Sequence, residues 1–303
     1  MRDMFYRHPV AATCLTLVEA AVHAKRYRSS GFSPADDASR AVVEALERDG
    51  VAVIPNFLNS ETCATLRDAI DTRLEEAPEH AWVDPEGADH RLFGFERCSE
   101  EARSFYANPW LHRIGCSVAG CNMVNFFTLA GRISAVEGNR GSGGGWHRDS
   151  FARQFKAILY LSDVDEQSGP FEFLAGTTGL VPMLRDVWRG GLGFRQTRIE
   201  ERTVERLLEA DPEQLRTLVG TAGTLVLADT LGIHRGMPIE AGTRHALTNY
   251  YFARPDATAE RVAHFGAKVP FADGGTLTRE QVLAFEPDAT SSTTPAESEL
   301  TPA

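Results

Sequence analysis

The chain has 303 residues, of which 43% are hydrophobic and 24% are charged. This length and composition predict one large domain with added segments rather than two equal domains. The formal net charge of −11 at pH 7 disfavours a polyanionic partner such as nucleic acid. Since no apolar run approaches the roughly 18 residues that a membrane span requires, we expect no membrane partner either.

The cysteines indicate a reducing compartment. There are five of them, and no two are spaced as CxxC, so neither a disulfide framework nor a thiolate zinc site is predicted. The N-terminal stretch "PVAATCLTLVEAAVHAKRY" follows basic residues, as an export signal does. Glu19 and His23 interrupt its apolar run, however, and its pattern favours an amphipathic helix. We therefore expect a cytoplasmic protein, with export as the less favoured alternative.

The first 80 residues predict an extension followed by a helix–strand–helix unit. Residues 1–40 are typical of an N-terminal helical extension and a linker, and the main domain is expected over 41–287. Within it, "VAVIPNF" is apolar and β-branched, and "NSET" offers a helix N-cap. Leu66, Ile70 and Leu74 follow at helical spacing. The small polar tail, 288–303, is expected to be disordered.

From about residue 122 the chain alternates short strands with glycine and proline. The predicted strands are "MVNFFTLAGRISAV", "FKAILYLSDV", "GPFEFLAG", "GTLVLAD" and "HALTNYYFA". Such a series favours an antiparallel barrel or jelly roll, so the fold class is mostly β with flanking α-helices. Residues 183–218 interrupt the series with "MLRDVWRGG" and "IEERTVERLLEADPEQLRTL", the second of which is helical in pattern, and are predicted to be a rim or lid insertion.

A His-x-Asp pair follows a run of glycines in "GSGGGWHRDSF". On an extended segment, residues i and i+2 point the same way, so His147 and Asp149 can reach one point in space. The glycines allow the tight or left-handed backbone that a loop entering a barrel mouth needs. The alternative interpretation is a surface histidine beside a solvated aspartate.

His234 is the best-placed third ligand because it lies between two apolar strands. Two imidazoles and a carboxylate form the facial triad of non-haem Fe(II) oxygenases, which leaves coordination positions open, whereas zinc prefers a closed or nearly closed tetrahedral site. Arg244 begins the next strand. There its guanidinium would clamp a carboxylate near the metal pocket, or form a structural salt bridge.

Three further residues are candidates for binding a co-substrate. Strict alternation puts Lys156, Ile158 and Tyr160 on one face of "QFKAILYL". If that face is interior, Lys156 needs an anionic partner such as a co-substrate or substrate. An edge lysine that guards against sheet pairing fits equally well. Arg132 and Ser134 in "AGRISAV" raise the same two alternatives.

The predicted insertion is locally basic in an acidic chain. Its arginines are Arg185, Arg189, Arg195, Arg198, Arg202 and Arg206. They would receive a phosphate or carboxylate of a substrate, or they would form a solvated helix face paired with the glutamates of the same segment, at positions 200, 201, 205 and 209. The second interpretation is the favoured one.

These motifs together resemble the phytanoyl-CoA dioxygenase family of Fe(II)- and 2-oxoglutarate-dependent oxygenases. The resemblance lies in "WHRDS", "AILYLSDVDEQSGPFEFLAGTTG" and "IHRGMPIEAGTRHAL", and in the upstream "DGVAVIPNFLNSETCATLRD". It extends from about residue 40 to 255, with four motifs in the family's order. One departure is "AGTTG", where the family has a proline and a Gly-Ser-His ending.

The resemblance implies a double-stranded β-helix core of the cupin-like, jelly-roll kind. It implies iron held by His147, Asp149 and His234, and 2-oxoglutarate anchored by Arg244. It further implies that O2 and 2-oxoglutarate are consumed to oxidise, most simply to hydroxylate, a small molecule of secondary metabolism, with release of succinate and CO2. The alternatives are a cupin-like metal-dependent hydrolase or isomerase, and a non-catalytic binding domain. No feature predicts an oligomeric state.

Overall fold

The computed structural model describes residues 6, 8–27, 31–34, 36–266 and 270–288. The helices of this part of the chain, numbered α1 to α9 in order, are Pro9–Arg26, Asp37–Asp49, Ser60–Glu76, Glu100–Tyr106, Pro109–Ala119, Leu180–Gly190, Glu201–Ala210, Ala259–Gly266 and Arg279–Leu283. Among them, no helix is both long and apolar enough to cross a lipid bilayer.

The strands form two antiparallel sheets. Numbered β1 to β10, they are Val51–Ile54, Trp82–Val83, Asp89–Phe93, Met123–Ser134, Gln154–Tyr160, Phe171–Leu174, Leu215–Leu218, Leu225–Asp229, His234–Gly236 and Thr243–Ala253. The major sheet has the order β1-β8-β5-β10-β4-β3-β2, and the minor sheet has the order β7-β6-β9. All five strands predicted from residue 122 onward are present, and the architecture confirms the jelly roll.

Apolar side chains fill the space between the two sheets at one end. Tyr160 and Val226 of the major sheet pack with Phe171, Phe173 and Leu218 of the minor sheet. Burying such side chains is the main favourable term that holds two sheets face to face. The other end of this space is the cavity described below.

Helices cover the outer face of the major sheet. The predicted helix α3 begins after Asn59, whose side chain accepts a hydrogen bond from the Thr62 backbone N–H at 2.8 Å. Leu66, Ile70 and Leu74 are buried, as their spacing predicts, in the large core that the helices form with the sheet. The long strands of the sheet are accordingly buried over most of their length.

The structure shows how the segment 183–218 is built into the fold. The predicted helix is α7, which ends at Ala210, and a second helix, α6, precedes it. The last residues of the segment form β7, which pairs with β6 in the minor sheet. The segment just before α7 also pairs with the chain near His147, through an isolated bridge between His147 and Arg198. The segment is therefore partly an integral component of the minor sheet rather than only a rim.

The structure also shows how the N-terminal extension is attached. Its predicted helix is α1, in which Glu19 forms an ion pair with Arg195 and Thr13 accepts a hydrogen bond from the Trp188 indole at 3.1 Å. The extension thus packs on the insertion. Apart from Asp288, the predicted tail lies outside the described residues.

Gly50 provides a test of this packing. It ends α2 with a positive φ of 85°, and a Cβ built there would lie 2.8 Å from the buried Phe173 ring. We predict that Gly50→Ala lowers the free energy of unfolding by roughly 2–5 kcal/mol, because a left-handed non-glycine residue costs about 1–2 kcal/mol and overpacking a core about 1–3 kcal/mol. Urea unfolding midpoints measure it.

Gly87→Ala is the matched control. Gly87 also has a positive φ, of 73°, but a Cβ there has nothing within 4 Å, so only the left-handed penalty of about 1–2 kcal/mol is expected. Equal losses in the two variants would contradict the proposed close packing of Gly50 on Phe173.

Candidate metal centre

Two segments far apart in sequence meet side by side at the open end of the jelly roll. His147 donates its backbone N–H to the carbonyl oxygen of His234 at 2.9 Å, and His234 returns the bond to His147 at 2.9 Å. Residues that exchange both bonds lie directly opposite each other in an antiparallel pair. Their imidazole centroids are consequently 4.4 Å apart, and Asp149, two residues beyond His147, lies on the same face.

Both imidazoles direct their Nε2 atoms into the site. Nδ1 of His147 lies 2.8 Å from the carbonyl oxygen of Gly145, and Nδ1 of His234 lies 2.9 Å from that of Gly232. A carbonyl oxygen only accepts hydrogen bonds, so each Nδ1 carries a proton, and in the neutral tautomer that this selects the lone pair is on Nε2. With a carboxylate oxygen of Asp149, the candidate ligand atoms all lie within 4.8 Å of one another.

The electrostatics favour the protonation states that a metal requires. Burial raises the pKa of Asp149, but the Lys156 ammonium and the two histidines outweigh it and hold that pKa well below its usual value. Burial lowers the pKa of His234 to about 3. Near neutral pH the carboxylate is therefore ionised and the His234 imidazole is neutral, as metal ligands must be. These residues fit a divalent cation.

Lys156 has a different partner from those the sequence predicted. It lies on β5, between β8 and β10, so it is not an edge lysine. Its ammonium lies 2.6 Å from Oδ2 of Asp149 and 4.5 Å from the centroid of the Tyr250 ring. Asp149 supplies the negative charge that a buried ammonium needs. The co-substrate is therefore not required to neutralise Lys156.

A cavity of about 290 Å³ lies between the sheets and contains the three candidate ligands. Alternation along β5 and β10 points one side-chain row of each strand into it. These cavity-facing residues are Lys156, Ile158 and Tyr160 of β5, and Arg244, Ala246, Thr248 and Tyr250 of β10. The volume is close to the lower end, about 300 Å³, of the range typical of small-molecule sites.

Arg244 is the cavity's unpaired buried cation. It is only 8% exposed, and burial lowers its pKa. In the part of the chain that the structure describes, its guanidinium has no hydrogen-bond or ion-pair partner. An unpaired buried charge is costly, so this guanidinium is prepared for an anion that enters the cavity.

Arg132 and Ser134 lie outside the cavity, which removes them from the co-substrate site. Arg132 is opposite His245 in the pairing of β4 with β10 and binds Asp71 on α3 at 3.1 Å. The Ser134 hydroxyl contacts that of Thr243 at 3.2 Å. Alternation places Arg132 on the helix-covered face, since its neighbours Gly131 and Ile133 face the cavity.

Besides Arg148, sequence reasoning missed two charged cavity residues, Asp89 and Arg91. They lie on β3, where Arg91 forms an ion pair with Asp89 at 2.5 Å and donates a hydrogen bond to the Ser142 hydroxyl at 3.1 Å. The signal in "DHRLF" is weak because the strand is short and polar. The Arg91–Ser142 hydrogen bond connects β3 to the glycine loop, residues 141–145, that precedes His147.

Fold and site together define a class: a jelly-roll metalloprotein with a two-histidine, one-carboxylate centre beside a buried arginine. The model of the phytanoyl-CoA dioxygenase (PhyH) family matches residues 46–246, and the chain belongs to this family. The sequence resemblance is thereby confirmed. The protein is accordingly an enzyme of the non-haem iron, 2-oxoglutarate-dependent type, which confirms Fe(II), 2-oxoglutarate and O2 as its predicted cofactors.

Solved structures share the fold at low identity. The non-heme alpha ketoglutarate dependent epimerase SnoN from nogalamycin biosynthesis is 18% identical, with a TM-score of 0.51 over 72% of this chain and 83% of its own. The carbocyclase SnoK of the same biosynthesis is 17% identical, with a TM-score of 0.54 over 74% and 88%. EctD from S. alaskensis, solved with bound Fe, is 15% identical, with a TM-score of 0.54 over 75% and 80%. A search of curated proteins found no match.

We predict that Asp149→Ala weakens Fe(II) binding by more than about a hundredfold, because changing even a group that only orients a metal ligand costs about 10–100-fold. Metal analysis after dialysis against Fe(II) measures it. Asp71→Ala is the matched control, since Asp71 contacts a histidine, His245, at 3.0 Å on the other face of the sheet. Equal metal loss in both variants would contradict the assignment of Asp149 as a ligand.

Proposed function

We propose that this protein hydroxylates a small molecule with Fe(II) and 2-oxoglutarate, releasing succinate and CO2. The observation that carries the proposal is the unpaired, buried guanidinium of Arg244 in the same cavity as His147, Asp149 and His234. A dicarboxylate suits such a cavity, because one of its ends can bind the metal while the other binds the arginine.

The proposed roles follow from the positions of the residues. His147 and His234 would hold iron through Nε2, and Asp149 through its carboxylate. Arg244 would bind the carboxylate of 2-oxoglutarate that is remote from the metal. When bound, iron and 2-oxoglutarate supply the activation of O2 and the oxidising power for the substrate.

The chain's own residues keep this site ordered and shielded. Lys156 keeps the Asp149 carboxylate ionised and in place through their contact at 2.6 Å. Leu129, Ile158 and Phe171 contribute apolar surface to the cavity. Such surface limits water near the reacting atoms and strengthens the charge interactions there.

Hydroxylation is the proposed outcome because it needs the fewest groups. Transfer of one oxygen atom requires a substrate C–H bond held beside the metal. Epimerisation and ring closure, the activities that the names of SnoN and SnoK state for those proteins, require in addition a hydrogen donor or a second reacting atom at a fixed position. A product 16 mass units heavier than the substrate distinguishes hydroxylation from both.

The function is tested first without a substrate. We expect the anaerobic protein to bind one Fe(II) per chain and to give a weak visible charge-transfer band when 2-oxoglutarate is added, because the three-ligand site leaves positions open for chelation. Spectrophotometric titration measures it. Tight zinc binding with no band on addition of 2-oxoglutarate would instead favour a hydrolase or isomerase.

Arg244→Ala tests the co-substrate site. We predict a roughly tenfold to hundredfold weaker affinity for 2-oxoglutarate, since a charge-assisted hydrogen-bonded pair contributes about 1.5–3 kcal/mol, with Fe(II) affinity little changed. Titration of the charge-transfer band measures both. Arg132→Ala is the control, because Arg132 lies outside the cavity and contacts Asp71. Unchanged 2-oxoglutarate affinity in the Arg244 variant would refute its assigned role.

A further inference from the structure

The cations that line the cavity differ in whether the protein itself neutralises them. The lining includes five cationic side chains, which are Arg91, Arg148, Lys156, Arg198 and Arg244. Three of them have a carboxylate partner: Arg91 pairs with Asp89 at 2.5 Å, Arg148 with Asp186 at 2.5 Å and Lys156 with Asp149 at 2.6 Å. Arg198 and Arg244 have none among the described residues.

These two arginines occupy different environments. Arg244 is buried and is assigned to 2-oxoglutarate by the proposed function. Arg198 is exposed and lies where the cavity opens into a surface groove that is also lined by the glycine loop. Its guanidinium donates a hydrogen bond to the Gly143 carbonyl oxygen, which fixes its position and leaves its remaining N–H groups free of a carboxylate partner.

The backbone places Arg198 close to the metal ligands. Arg198 is the bridge partner of His147, and the flanking hydrogen bonds run from the Arg148 N–H to Thr197 at 2.9 Å and from the Ile199 N–H to Trp146 at 3.0 Å. Arg198 thus lines both the cavity that contains the metal ligands and the adjoining groove.

The other arginines of the insertion do not share this position. Arg185 pairs with Asp186 at 3.3 Å, Arg202 with Glu200 at 2.5 Å, and Arg206 binds the Gly190 carbonyl oxygen at 2.9 Å. Arg195 pairs with Glu19, and Arg189 is exposed on α6 outside the cavity. Of the six arginines that the sequence singled out, Arg198 is the one that lines the cavity.

We propose that the substrate carries an anionic group, a carboxylate or a phosphate, and that Arg198 binds this group at the cavity mouth. The inference rests on the proposed function, which assigns Arg244 to 2-oxoglutarate. The charges of Fe(II) and of the 2-oxoglutarate dianion cancel, and the five lining cations outnumber the carboxylates Asp89, Asp149 and Asp186. A guanidinium fork matches a carboxylate or phosphate bidentately, and a local cation offsets the repulsion that a chain of net charge −11 exerts on an anion.

The test uses the anaerobic protein loaded with Fe(II) and 2-oxoglutarate, with inorganic phosphate and acetate as separate probes. Calorimetric titration gives the affinity for each probe, and the visible band reports that 2-oxoglutarate stays bound. We expect saturable binding of at least one probe. Arg198→Gln should weaken it by about tenfold or more, as loss of a charge-assisted hydrogen bond does, and Arg198→Lys should retain part of the affinity. Arg202→Gln, the matched control, should bind as the unmodified protein does.

Binding of phosphate alone assigns a phosphate group to the substrate, and binding of acetate assigns a carboxylate. The unmodified protein's failure to bind either probe, or equal binding by Arg198→Gln, overturns the inference. Loss of the visible band in Arg198→Gln also overturns it, since Arg198 would then position the glycine loop. Absence of the band in the unmodified protein would instead contradict the proposed function, so the two failures are distinguishable.

A second measurement extends the test to whole substrates. Small acids and phosphate monoesters are screened for O2-dependent 2-oxoglutarate consumption, each against its neutral counterpart, a methyl ester or a free alcohol. We expect stimulation by the anionic member of a pair, and Arg198→Gln should raise its KM by about tenfold or more with a smaller effect on kcat. Stimulation by neutral members that Arg198→Gln leaves unchanged would overturn the inference.

Discussion

The site depends on one backbone contact, the reciprocal pairing of His147 with His234. This pairing sets two imidazoles side by side, with their ring centroids 4.4 Å apart. The i+2 geometry of an extended chain then brings Asp149 to the same face, and the N–H of Asp149 is held by the Thr230 carbonyl oxygen at 3.1 Å. Backbone hydrogen bonds thus fix all three ligand positions before a metal arrives, which lowers the entropic cost of binding it.

Charge distribution explains the rest of the cavity. A space lined on both sides by sheet would normally be filled with apolar side chains, as the other end of this jelly roll is. Here it contains buried ion pairs and one buried, unpaired guanidinium, Arg244. A buried charge without a partner destabilises the fold. A ligand that supplies the missing anion therefore stabilises the native state when it binds.

The sequence predicts the ligands better than it predicts their surroundings. Spacing and position at strand ends predict His147, Asp149 and His234 as ligands. Composition predicts the long strands. The sequence does not predict which side of β4 faces the cavity. Both faces of the major sheet are covered, so the strand lacks apolar alternation. This ambiguity led to the wrong expectation for Arg132. Likewise, no local pattern shows that the partner of Lys156 is Asp149.

The insertion shows why local charge density is a poor guide to function. As a group its arginines are typical of a solvated helix face, and the favoured interpretation held for Arg202 with Glu200. Other partners are distant in sequence: Arg195 pairs with Glu19, and Glu201 pairs with Arg235 at 3.1 Å. Only the fold determines which cations are neutralised internally. The cation that the fold leaves without a carboxylate, beside the metal ligands, is therefore more informative about the substrate than the number of arginines around it.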